Sequence, residues 1–134
     1  MQGVNRSYSG RIAARRISPG GGWVHNLFEV EDPRGRKVVC TDERWYQHVL
    51  VDKPFMTKYF DDVRETIVRP DAIVKDAHFN DQEAYYREQQ NAPSQYMKVV
   101  VLFTSEREGI LWTAHPADSS KAGEKLLWKR SSDS

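Results

Sequence analysis

At Pro70 the apolar residues of this chain change their spacing, and that switch decides which folds it can adopt. Before it, in "TDERWYQHVLVDKPFMTKYFDDVRETIV", they recur at helical intervals. Met56, Phe60, Val63 and Ile67 follow one another at steps of four, three and four residues, the stripe of a helix that packs on a sheet. An earlier helix starts at Thr41 or Asp42, either of which can cap it, and acidic residues in its first turn suit the helix dipole. Pro54 ends that helix. Trp45, His48, Val49 and Asp52 fall on neighbouring turns of one of its faces.

After Pro70 the pattern is that of strands. "DAIVKDAHF" and "EAYYREQ" bracket the polar turn "NDQ", "YMKVVVLFTS" is rich in valine, and "GILWTAHP" is its hairpin partner across "EREG". "GEKLLWKR" reads as a last edge strand or a short helix. Upstream, "WVHNLFEVEDPRGRKVVCTD" reads as two short strands around the turn "DPRG". The expected fold is therefore α+β: an N-terminal hairpin and two helices packed on one face of an antiparallel sheet of about four strands. Residues 1–22, basic and then glycine-rich, are expected to form an arm, 23–130 a single domain, and 131–134 a frayed tail. The helical stripe and the strand alternation together select Trp45, Phe60, Val63, Ile67, Val99, Val101 and Trp112 as the core.

Composition narrows the function classes. No apolar run approaches the roughly 18 residues that span a bilayer, and no stretch near Met1 resembles a signal-peptide core, so a cytoplasmic protein without a membrane partner is expected. The single Cys40 excludes an intrachain disulfide and a multi-cysteine zinc site. The four histidines show no metal-ligand spacing and "PGGGW" lacks the "GK[ST]" of a phosphate loop, so no cofactor or metal is expected. A formal net charge of +1 argues against a protein that coats nucleic acid through bulk charge, but leaves room for a local basic cleft.

Several words in this order are similar to the phage-associated members of the barnase–EndoU–colicin–RelE (BECR) nuclease group: "ERWYQHVL", "VRETIVRPDAIV", "YYRE", "KVVVLF" and "GILWTAH…KAGEKLLW", over roughly residues 37 to 128. The resemblance implies a BECR-like fold and a metal-independent endoribonuclease, a toxin or phage-borne effector, with RNA as substrate and a protein inhibitor or antitoxin as partner. Position by position it points to His48, Arg87, Thr113 and Lys121, with His115 beside the "TA" of "WTAH".

The chemistry of those residue types fits. Metal-free RNA cleavage needs a base for the 2′-hydroxyl, an acid for the leaving 5′-oxygen and donors for the phosphate charge. Histidine titrates near neutral pH and arginine offers a planar fork for phosphate. His48 is a candidate acid or base that Asp52 could orient, or a histidine at a polar edge of the core. On a strand, Tyr85 and Arg87 share one face and Tyr86 the other. If Tyr86 meets the helices, Tyr85 and Arg87 form an aromatic and cationic surface for a base and its phosphate; the alternative is an Arg87 pair with Glu83 or Glu88. Strict alternation puts Ile110, Trp112 and Ala114 on one face of their strand and Leu111, Thr113 and His115 on the other. The expected site is thus catalytic His48, Arg87, Thr113 and His115, with Tyr85 and Lys121 binding substrate. The competing reading is a non-catalytic RNA- or protein-binding module on the same fold.

Overall fold

The computed structural model describes residues 15–16, 23–89 and 95–131; most of the expected arm and the end of the tail lie outside them. The chain forms strands β1 (Arg15–Arg16), β2 (Trp23–Val24), β3 (Asn26–Glu31) and β4 (Lys37–Thr41), then a helical stretch, then β5 (Ala72–Lys75), β6 (Gln82–Glu88), β7 (Tyr96–Phe103), β8 (Glu108–Ala117) and β9 (Lys125–Lys129). The helical stretch opens with α1 (Asp42–Arg44), continues through a π-helical turn (Trp45–Val49) into α2 (Leu50–Asp52), and resumes after Lys53 as a 3₁₀ turn (Pro54–Tyr59) and α3 (Phe60–Val68).

The domain is α+β, with a sheet wider than expected. Seven strands join in the order β3-β4-β8-β7-β6-β5-β9, and β1 pairs with β2 separately. The sheet is mixed rather than antiparallel: β4 runs parallel to β8, with Val38 opposite Gly109 and Val39 opposite Ile110. The cause is visible in β4, where Val38, Val39 and Cys40 are all buried. A strand covered on both faces cannot stay in an isolated hairpin, and β8 offers it a second neighbour. Gly109 lets that region close up, since a Cβ there would lie 2.6 Å from Val101 Cγ1. At the other end "GEKLLWKR" forms the edge strand β9, beside β5.

The helices cover one face of the sheet, as expected. Thr41 caps α1, its Oγ1 accepting from the Arg44 amide at 3.1 Å. Trp45, Val49, Met56, Val63 and Ile67 are buried against Tyr85, Val99, Val101 and Leu111, and Phe60 packs edge-on to Trp45 at 5.0 Å. Trp112 does not join this core. A bulge breaks the β7–β8 register between Val100 and Val101, so that Val100 faces Thr113 while Val101 faces Leu111. The extra residue is Trp112, which packs with Val74, Tyr86 and Val100 in a second, smaller cluster. Beyond the bulge Leu111 and Ala114 share the helix-covered face, and Trp112, Thr113 and His115 share the open one.

The segment from β8 to β9 must pass β7, β6 and β5 to reach the far edge. It does so over the open face, and its last residue before β9, Glu124, reaches Tyr86 and Lys98. Gly123 has φ +89°, and a Cβ there would lie 2.9 Å from Ala77 Cβ. Gly123→Ala is therefore expected to cost about 1–3 kcal/mol, read as a fall in melting temperature of at least about 3 °C. An unchanged melting temperature would mean that the crossing segment is not held in this conformation.

Candidate active site on the open sheet face

The open face gathers polar groups from four elements. Lys98 of β7 stands between Tyr86 of β6 and His115 of β8 in the strand register. Its ammonium lies 3.0 Å from Glu124 Oε2, with the two side chains 6% and 1% exposed, and 5.4 Å from the Tyr86 ring centre. The Tyr86 hydroxyl donates to Glu124 at 2.9 Å, and the Lys121 amide donates to its Oε1 at 2.9 Å. Both oxygens of this buried carboxylate thus accept hydrogen bonds, as burial of a charge demands. Burial and the Glu124 hydrogen bond push the Tyr86 hydroxyl above its ordinary range.

His115 is half-buried on the same face. Burial holds its pKa below the ordinary imidazole value, and Lys53, Lys98 and Lys121 add to that, against an opposing effect of the Pro116 carbonyl. The ring is therefore neutral at physiological pH. Its Nδ1 lies 2.9 Å from the Pro116 carbonyl oxygen. A carbonyl only accepts, so this contact puts the proton on Nδ1 and leaves the lone pair on Nε2. Thr113 lies two residues away on the same face, opposite Val100.

The first helical stretch flanks β8 where β4 has left it. Arg44 stacks over the Trp112 ring at 3.7 Å, and its Nη2 donates to the Trp112 carbonyl at 2.6 Å. Lys53, at the far end of the stretch, acts on His115. His48 lies in the chain between these two and is exposed, while Trp45 and Val49 point into the core.

Thr113, His115 and Lys121 are thus brought to one face, but Arg87 is not. It stands opposite Met97 of the helix-side core, and its Nη1 donates to the Arg69 carbonyl at the end of α3, at 2.6 Å. The sheet separates it from Thr113 and His115. Tyr85 is likewise no surface residue. It is fully buried beneath the helices, and its hydroxyl donates to Asp32 Oδ2 at 2.6 Å. The alternation of Tyr85 and Tyr86 holds, with the faces reversed: Tyr86 is the tyrosine on the open side.

Lys98, Glu124 and Lys53 were not singled out from the sequence, and Tyr86 was read only as the tyrosine facing away from the site. One signal was present: a lysine inside "MKVVVLF" must be buried with a partner or break the strand. Other polar groups are structural. Cys40 is buried and its thiol is pushed up to about 12, chiefly by burial, which removes it as a nucleophile. A depression lined by Glu29, Lys37, Arg107 and Glu108 lies at the opposite end of β8, and its Lys37 is shared between Glu29 and Glu108. Among the described residues no three His, Cys, Asp or Glu side chains are grouped to hold a metal ion, and no helix is long and apolar enough to cross a membrane.

No family model, curated protein or solved structure matches this chain.

Proposed function

We propose that the chain is an endoribonuclease that cleaves RNA on the open sheet face by general acid–base chemistry, without a metal. The observation that carries this reading is His115: neutral, with its free lone pair on Nε2, among Lys53, Lys98 and Lys121. A neutral imidazole accepts the 2′-hydroxyl proton, and fixed cations favour the charge that builds on the phosphorus-bound oxygens. The 2′-oxygen attacks phosphorus, the 5′-oxygen leaves, and a 2′,3′-cyclic phosphate remains. His48, exposed on the flanking helix, is the acid that protonates the leaving oxygen. Thr113 donates a hydrogen bond to the phosphate, and Lys53 and Lys121 hold the backbone. The likeness to BECR nucleases supports the same reading. Arg87, on the other side of the sheet, has no part in it.

A second reading, RNA binding without cleavage, is favoured by one feature. Arg44 stacked on Trp112, with the partly buried Tyr96 in the same cluster, makes an aromatic and cationic surface on which bases could stack.

Incubation of the purified protein with tRNA and mRNA in excess EDTA separates the two. Cleavage to cyclic-phosphate ends is expected. His48→Ala should slow it about a hundredfold, and Arg87→Ala should leave the rate within a few-fold. Binding with intact RNA would establish the second reading, and neither binding nor cleavage would reject both.

A further inference from the structure

Lys98 poses a problem that packing does not solve. It is buried in the middle of a valine-rich strand, and its charge is neutralised by an acid carried on a connecting segment, not on the sheet. A buried ion pair is seldom worth more than the apolar pair that could replace it. Packing alone therefore gives no reason for a charge at this position.

We propose that Lys98, the Tyr86 hydroxyl and the Lys121 amide form a site for a phosphodiester group of RNA, filled in the resting chain by the carboxylate of its own Glu124. The inference rests on the reading of the open face as an RNA face and deepens it. Three donors from three parts of the chain converge on the two Glu124 oxygens, at 3.0 Å from Lys98, 2.9 Å from Tyr86 and 2.9 Å from the Lys121 amide. This is the donor set that a phosphate oxyanion also accepts from. The cation stands directly across the strand pair from His115, so a phosphate held there is next to the group that would take the 2′ proton.

The plug is on a part of the fold that can move. Residues 118–123 are all exposed, and the segment is fastened to the sheet through Glu124 and to the β5–β6 connection by the contact of Gly123 with Ala77. Segments with few buried contacts open at low cost. Another acid near the site is Asp76, whose carboxylate is already held by the amides of His78 and Phe79 at 2.8 and 2.9 Å. Lifting Glu124 away thus leaves Lys53, Lys98 and Lys121 facing one occupied carboxylate.

The test is binding of a 2′-O-methyl oligonucleotide without terminal phosphates, which cannot be cleaved through its 2′-oxygen, in parallel with inorganic phosphate. Glu124→Ala and Glu124→Gln are expected to bind the oligonucleotide at least tenfold more tightly than the parent chain. Glu106→Ala, with the same charge change on an exposed turn, should not. The gain should vanish in Glu124→Gln/Lys98→Met. A gain with inorganic phosphate and none with the oligonucleotide would overturn the phosphodiester assignment. No gain, or a gain that survives the loss of Lys98, would overturn the site. Should both Glu124 variants fail to fold, hydrogen exchange of the parent chain decides: amides 119–125 must exchange faster with oligonucleotide bound, and unchanged or slower exchange rejects the plug. Cleavage is read separately. Tight binding with no cleavage of unmodified RNA rejects the catalytic reading and keeps the site. Cleavage that is indifferent to Glu124 does the reverse.

Discussion

Asp32→Ala is expected to lower folding stability by about 3–5 kcal/mol. The Asp32 side chain is wholly buried and accepts four hydrogen bonds: from the Arg34 amide at 2.9 Å, the Arg36 amide at 2.8 Å, Arg36 Nε at 3.0 Å and the Tyr85 hydroxyl at 2.6 Å. Removing it strands all four donors at once, three of them in buried bonds, and the cost of an unmade buried bond exceeds the worth of a made one. Arg36 keeps its fork on Glu83, at 2.8 and 3.2 Å, and its stack on Phe103 at 4.0 Å, which places the loss toward the lower end of the range. Urea denaturation should show a lower midpoint with an unchanged slope. A loss under 1 kcal/mol would mean that the β3–β4 turn and β6 are not joined through this carboxylate. Asp32→Asn, which keeps acceptors for part of the set, should lose less.

The same network shows what could and could not be read from the chain. The helix stripe from Met56 to Ile67 and the valine-rich β7 were legible because each obeys one period over many residues, and burial follows period. The width of the sheet was not, because β4 joins it through a parallel contact with β8 some 70 positions away, and a run such as "KVVC" does not say which strand will flank it. Tyr85 and Tyr86 were separated correctly by alternation but assigned to the wrong faces. What decides the face is Asp32, 53 residues upstream, which draws the Tyr85 hydroxyl into the helix-side core. Trp112 was misplaced for a local reason: one bulged residue reverses every side chain on one side of it. That bulge sets Trp112, Thr113 and His115 on one face, so the pairing of Thr113 with His115 was readable while their separation from Leu111 was not. Arg87 lies apart from Thr113 and His115 because it shares a face with Tyr85. Lys98 and Glu124 could be paired only once the topology carried the β8–β9 connection back across the sheet.

His115→Ala is expected to slow RNA cleavage by about 10²–10⁴-fold, the usual weight of a general base, while the fold persists. The side chain is only half-buried and its one polar contact is to the neighbouring Pro116 carbonyl, so truncation leaves no distant donor stranded. Two pH measurements make the assignment specific. In the parent chain the cleavage rate should fall on the acid side only below the ordinary histidine range, because burial and the three lysines oppose protonation of His115. A merely structural histidine would leave no such limb, and His115→Ala must abolish it in whatever activity remains. Stability gives the second check. A histidine whose folded pKa lies below its unfolded value of 6.5 takes up its proton first in the unfolded chain. Its contribution is therefore fully present above that value and is lost as pH falls through the window between 6.5 and the lower folded pKa. The parent domain should lose stability there, and His115→Gln should lose less over the same interval. Equal slopes for the two proteins would show that His115 is not held neutral by the fold, and the cleavage mechanism would then lack its base.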